Sequence, residues 1–224
     1  MYRNKVEIPI HFFLLQRDRR QCVIFEGRDN MFPCKYLKPS KKRPSSVHKL
    51  TPGDIKVVAA IGDSLTAAAG ALSRNFLQLT HEHRGVSFSV GGRGTWQQFI
   101  TLPNIIKNFN PHLLGMSYVT TKAYTFTVDG YNMALSGAKS FNISDQAFHV
   151  IAKMKGDPKI NFEKDWKMVT ILIGHNDLCS IVCTRSEFEV DTEVNNVVQV
   201  LDYLYRELPR TFVNLMPMAG KIAK

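Results

Sequence analysis

From residue 56 onward, short unbroken apolar runs alternate with longer stretches whose apolar residues recur at helical spacing. Residues 56–61 (KVVAAI) form the first run, and an unbroken run of that length marks a strand buried on both faces of a parallel sheet. Residues 65–79 follow with apolar positions at helical spacing and predict a helix. Residues 86–90 predict a second strand, and Phe99, Leu102, Ile105, Ile106 and Phe109 a second helix, with Thr101 placed to cap it ahead of Pro103. A third strand is expected at 131–135 and a helix at about 144–155. Residues 167–173 (KMVTILI) predict a fourth strand. Val194, Val197, Val198, Leu201, Leu204, Tyr205 and Leu208 then keep to a helical repeat, and 211–215 predict a fifth strand.

Such alternation of strand and helix defines an α/β protein: a parallel sheet with helices on both faces, because right-handed crossovers put them there. Ligands of these sheets bind beyond the carboxyl ends of the strands, so chemistry is expected just after Ile61, Leu135 and Ile173. Residues 1–55 differ. They hold Pro33, Pro39, Pro44 and Pro52 among basic and serine residues, with no sustained apolar period, and predict an extended lead-in to a domain spanning 56–224.

Composition changes this picture little. At 44% hydrophobic and 21% charged, the 224-residue chain has the make-up of a folded globular protein and can carry one domain. A net charge of +10 would suit nucleic acid or an anionic membrane, since both attract clustered Lys and Arg. Much of the excess lies at Arg17, Arg19, Arg20, Lys35, Lys38, Lys41, Lys42, Arg43 and Lys49, outside any nucleic-acid-binding motif, which favours a solvated basic tail. A nucleic-acid-binding protein thus rests on net charge alone. No apolar run reaches the roughly 18–20 residues of a membrane span, and residues 8–15, broken by Pro9 and His11, make a poor signal peptide. The pairs Cys22 with Cys34 and Cys179 with Cys183 match neither zinc-site nor redox spacing.

Three turns at the expected active end carry polar residues. Gly62-Asp63-Ser64-Leu65 puts a serine on a tight turn into the expected helix, its hydroxyl exposed near that helix's positive end. Gly62 relieves crowding, and Asp63 is suited to capping the helix or orienting a neighbour. Ser64 fits a nucleophile and an N-cap equally well on this tetrapeptide alone. Ser136-Gly137-Ala138 follows the third strand, and Gly174-His175-Asn176-Asp177 the fourth. A backbone N–H at Gly137 and the Asn176 side chain, converging near Ser64, would donate to the oxyanion that forms when a serine attacks an ester carbonyl.

Here the chain resembles a known family. VVAAIGDSLTAAAGA, NMALSGAK and VTILIGHNDLC look like the first, second and third conserved blocks of SGNH (GDSL-type) hydrolases. SVHKLTPGDIKVVAA, FSVGGRGTWQQFITLPNIIKNFNP and LPRTFVNLMP are similar to the phospholipase B branch, and the resemblance runs from about Ser46 to Pro217. It implies a three-layer α/β/α, flavodoxin-like fold with a five-stranded parallel sheet. It also implies Ser64 as nucleophile, with an oxyanion hole made of the Ser64 and Gly137 N–H groups and the Asn176 amide. The implied reaction is hydrolysis of carboxylic esters in phospholipids and lysophospholipids through an acyl-enzyme, at a membrane surface, with no cofactor or metal and no nucleic acid. The implied setting is extracellular or plasma-membrane-associated. A disulfide between Cys179 and Cys183, closing a small loop beside the site, is implied as well, and Tyr118, Tyr124 and Phe126, before the third strand, fit an acyl-chain trough and a place in the core equally well.

A serine needs a base, and the base an orienting carboxylate. The family draws both from an Asp-x-x-His block after the fifth strand, and no Asp-x-x-His occurs in this chain. The last helix of the layered fold is missing with it, so a C-terminally truncated domain is expected, with the apolar side of the fifth strand, Phe212 included, exposed. Among His11, His48, His81, His83, His112, His149 and His175, the last stands at the expected site beside Asn176. It is the candidate substitute base, set against a plain surface substitution. A catalytically incomplete relative of the same fold is the alternative to an active hydrolase.

Overall fold

Successive side chains of IKVVAAIG point to opposite faces of a strand, and both faces of this one are covered. It forms β1 (Ile55–Gly62) in a computed structural model that describes residues 32, 34, 38–122, 129–184 and 188–216. The chain divides into two units, Met1–Tyr36 and Leu37–Lys224, and the fold is that of the second. Its other strands are β2 (His81–Glu82), β3 (Thr121–Lys122), β4 (Trp166–Leu172) and β5 (Thr211–Leu215); its helices are α1 (Leu102–Ile106), α2 (Ile143–Gly156), α3 (His175–Thr184) and α4 (Phe188–Glu207). β1 pairs with β4 and β4 with β5, all parallel, while β2 and β3 form a separate antiparallel ribbon.

On one face of the sheet Val57, Ala59, Ile61, Val169 and Ile171 pack with Val150 and Met154 of α2 and Val200 and Leu204 of α4. On the other, Val58, Ala60 and Met168 pack with Val90, Leu113 and Ile106 of α1. Burying one Val, Ile or Leu side chain is worth about 1.5–3 kcal/mol, so these two layers hold the sheet. The result is the α/β architecture the pattern predicts, with helix on both sides. β5 stands at an edge with all five residues half-buried, and Phe212 packs against the α1-side core instead of lying exposed.

The second half of the sequence reads closer to the structure: α2, β4 and β5 begin and end near where the pattern sets them, while α4 starts six residues before Val194 and α3 was not expected as a helix. Thr101 caps α1 as expected, accepting from the Asn104 N–H at 3.2 Å while its hydroxyl donates to Gly91 O at 2.7 Å. The first half departs from expectation in three places. Residues 65–79 are not a helix: Ala68 takes a left-handed φ of 56°, Ala69 bridges Glu82, and only a 3₁₀ turn at Phe76–Thr80 follows. Residues 86–90 are not a strand. Arg84–Val86 is a 3₁₀ turn, and the Ser87 and Ser89 hydroxyls, 3.1 Å apart, are buried, with Ser87 donating to Thr66 O at 2.6 Å. Residues 131–135 do run beside β1, but through a single parallel bridge from Asn132 to Ala60. The regular ladder among the described residues is therefore three strands wide, continued past β1 by the isolated bridges Ala60–Asn132, Val57–Leu114 and Gly91–Ser117.

Part of the lead-in belongs to this unit. Trp166 Nε1 and Arg210 Nη1 both donate to Pro44 O, at 2.9 and 3.0 Å, and Ser40 and Thr51 donate from backbone and hydroxyl to the Asp54 carboxylate at 2.7–2.9 Å. Residues 38–54 are thereby tied down ahead of β1, earlier than the composition break at Lys56. Lys167, fully buried, donates from Nζ to Phe162 O, Asp165 O and Pro209 O, and burial pulls its pKa down to about 8.

Candidate active site

β1 ends at Gly62, where a Cβ would come within 2.4 Å of Leu172 O and where φ is 155°, so only glycine fits. Gln146 of α2 clamps this residue, its Oε1 accepting from Gly62 N–H at 2.7 Å and its Nε2 donating to Gly62 O at 3.0 Å. The chain then turns. Asp63 is buried and accepts from the Leu65 N–H through Oδ1 at 2.9 Å, and Ser64 is half-buried, with Ser64 O accepting from Ala69 N–H at 2.9 Å. No hydrogen-bond partner is found for the Ser64 hydroxyl among the described residues. The helix expected after the serine is thus one turn, closed before Ala68.

A second segment is drawn to the end of β1 by the Leu135 N–H, which donates to Gly62 O at 3.1 Å. Two residues on, Gly137 is exposed with a left-handed φ of 81°, a conformation that favours glycine. Beneath it lies a buried network that the sequence reading did not find. Ser136 Oγ donates to Glu82 Oε1 at 2.6 Å; Arg84 donates to Glu82 Oε2 from Nε at 3.1 Å and Nη2 at 2.6 Å. Arg84 also donates to Asn132 O at 3.0 Å and Ala134 O at 2.8 Å, so one guanidinium sets the path of the backbone leading to Gly137. Nothing in the string HEHR distinguishes this pair from a solvated loop.

The third segment opens α3, so Gly174-His175-Asn176-Asp177 is the entry to a helix and not an isolated turn. Asn176 Nδ2 donates to Ala138 O at 2.9 Å, and an amide carries two hydrogens, so one is left for a ligand. Asp177 accepts from the Ser140 N–H at 2.9 and 3.0 Å and from its hydroxyl at 2.8 Å, an acid placed in the first turn where the helix dipole favours it. These bonds latch α3 to the Gly137 segment. His175 Nδ1 faces Asp63 Oδ2 at 3.6 Å, beyond hydrogen-bond length, and neither atom has another partner. Burial pushes the Asp63 pKa up, against the pull of the Leu65 N–H and the facing imidazole, and the Asp177 charge adds to the rise.

The structure therefore gathers the turns bearing Ser64, Asp63, Gly137, Asn176 and His175 at one end of the sheet. Cys179 is a free, exposed thiol within α3, so the disulfide to Cys183 is not formed; the segment is helical and there is no small loop to close. Tyr118 is half exposed, whereas Tyr124 and Phe126 lie outside the described residues. Among the described residues no three His, Cys, Asp or Glu side chains are grouped to hold a metal ion, and no helix is long and apolar enough to cross a membrane. An open depression of about 500 Å³ between α2 and α4, lined by Phe148, Tyr203 and Arg206 among others, contains none of the site residues.

A serine at the end of the first strand, with glycine and asparagine on the turns beside it, is the layout of a GDSL-type hydrolase. Residues 58–223 match the model of the GDSL-like lipase/acylhydrolase family, and the chain belongs to that family. It is 48% identical over 186 residues to the membrane-associated phospholipase B1 of Homo sapiens, and 44% identical to the proteins of that name from Mus musculus and Rattus norvegicus. The human alignment covers 83% of this chain and 12% of the relative, so the chain spans a small part of the length of these proteins.

Proposed function

We propose that this chain hydrolyses carboxylic ester bonds of phospholipids and lysophospholipids with Ser64 as nucleophile. The observation that carries the reading is the convergence of three turns on the end of β1, bound together through Gly62, Ala138 and Ser140. Ser64 Oγ attacks the ester carbonyl carbon and its proton passes to a base. The Ser64 and Gly137 N–H groups and the free hydrogen of the Asn176 amide take up the oxyanion charge. As the oxyanion collapses, the carbon–oxygen bond to the glycerol breaks and the alcohol leaves with that proton. Water then hydrolyses the acyl-serine.

His175 is the base this reading assigns, with Asp63 behind it. A carboxylate facing Nδ1 is the relation in which an acid orients an imidazole for catalysis, and the two atoms stand 3.6 Å apart with no other partner. The membrane surface is the substrate's setting and the reaction belongs outside the cell or at the plasma membrane. The hydrolase domain takes in residues 38–55 as well as the part from 56 onward, so the basic lead-in is shorter than the composition suggests.

A second reading, a catalytically incomplete relative, is favoured by the Ser64 hydroxyl, which no described side chain hydrogen-bonds. Labelling with a fluorophosphonate probe separates the two, because the probe reports an activated serine. The expected result is labelling that Ser64→Ala abolishes and His175→Ala slows by about 10²–10⁴-fold, the usual worth of a positioned base. A folded chain that takes no label establishes the second reading.

A further inference from the structure

The loop that follows the Ser64 turn presents four large apolar side chains to solvent, while Ala67 and Ala68 at its start are buried. Phe76 is 89% exposed, Leu77 85%, Leu79 50% and Leu72 37%. All four lie on the loop that leaves the Ser64 turn and returns to β2, where the Gly70 N–H donates to His81 O at 2.8 Å. Leu65, next to Ser64, is exposed too. The polar side chains of the loop bond its own backbone, though Asn75 and Thr80 are exposed. Ser73 Oγ donates to Gln78 O at 2.6 Å, Gln78 Oε1 accepts from the Arg74 N–H at 2.9 Å, Asn75 Oδ1 accepts from the Gln78 N–H at 3.2 Å, and Thr80 Oγ1 donates to Leu77 O at 3.3 Å.

A loop made for water presents its polar groups outward. Here they are spent on the loop's own backbone and leave an apolar tip, which is the construction needed at a hydrocarbon boundary, where unsatisfied backbone groups are costly and apolar side chains gain. The charges agree. Residues 65–81 contain Arg74 and no Asp or Glu, and Lys122, exposed, pairs with His81 across the β2–β3 ribbon. The neighbouring acid, Glu82, is buried against Arg84. A cationic rim fits anionic headgroups. A stable protein interface takes about 20–30 residues a side, far more than one loop tip supplies.

We infer that residues 72–79 form an interfacial anchor that inserts Phe76 and Leu77 into a phospholipid surface and so presents Ser64 to it; the inference rests on the lipid-directed reading of that serine. The test is co-sedimentation of the full chain with vesicles of phosphatidylcholine containing about one-fifth phosphatidylserine as the anionic component. Phe76→Ser/Leu77→Ser lowers vesicle partition by about tenfold or more, while Tyr205→Ser, which removes an equally exposed aromatic from α4, leaves it unchanged. Phe76→Trp keeps the partition, and its emission shifts to the blue on vesicles beyond the response of Trp96 and Trp166. Coincident thermal melts show that the variants fold. Failure of the parent chain to bind vesicles, or equal binding by the double serine variant, overturns the anchor. So does self-association in solution that the double variant abolishes, since the tip is then a contact between copies. Sedimentation needs no turnover, so vesicle binding kept alongside an unlabelled Ser64 retires the hydrolase reading alone.

Discussion

Glu82 with Arg84 and Asp63 with His175 are both acid–base pairs at the candidate site, yet they are built in opposite ways. The first is sealed, with both side chains at 2% exposure or less, and the carboxylate takes Ser136 on one oxygen and the guanidinium on the other. The second joins a buried acid to a histidine whose side chain is 38% exposed, across 3.6 Å, with both facing atoms unpartnered. Taking ions out of water is repaid only when geometry and extra hydrogen bonds are good. The first pair meets that condition and so fixes where the backbone before Gly137 runs. The second does not, and its unused hydrogen-bonding capacity is what a group that must gain and lose a proton needs. One pair is architecture; the other is the pair the proposed mechanism uses.

The sharpest way to break this contrast is to remove the guanidinium. Arg84→Met leaves Glu82 buried and uncompensated and frees the Asn132 and Ala134 carbonyls, and is expected to cost about 3–5 kcal/mol by urea unfolding. Glu82→Met/Arg84→Met together should cost less than Arg84→Met alone, because no charge is then stranded. A double variant as damaged as the single one would mean that Arg84 works through the two carbonyls and not through Glu82. Ser136→Ala is the next step down, about 1–3 kcal/mol, since it removes one hydrogen bond from a buried carboxylate. A cost near zero would place the hold on the Gly137 segment elsewhere, in the Asn176 and Asp177 bonds to Ala138 and Ser140.

The contrast also explains what could be read from residues alone. The sheet was legible because β1, β4 and β5 are apolar runs whose burial follows from their length, and α2 and α4 because a helical stripe has few other uses. Gly62, Ser64, Gly137 and Asn176 were legible as turn chemistry at strand ends. Residues 65–90 were not. The apolar repeat of residues 65–79 matches a helix and the run at 86–90 a strand, but Ala68 reverses the chain, and Phe76 and Leu77 point to solvent, which periodicity alone does not reveal. Glu82 and Arg84 were missed for a related reason: in sequence a charged pair two residues apart looks solvated, and only the packing of Asn132, Ala134 and Ser136 over it makes it a core element.

The smallest effect is the one that probes the loose pair directly. Burial pushes the Asp63 pKa up, so in the folded chain this carboxyl holds its proton to higher pH than in the unfolded chain. Between the two values the native state binds more protons, and stability falls as pH rises. The contribution is fully present below the unfolded value and lost above the folded one. Asp63→Asn keeps an oxygen for the Leu65 N–H and cannot ionise. Its stability relative to the parent should therefore improve as pH climbs from about 3 through the carboxylate range, with both chains followed by urea unfolding. Two groups face the acid, His175 pulling the ionised form down in energy and Asp177 pushing it up. Repeating the comparison in a His175→Gln background should enlarge the gain from Asp63→Asn. A difference between parent and variant that stays flat with pH would mean that Asp63 titrates alike in both states, and the pair would then carry no stored preference for a proton.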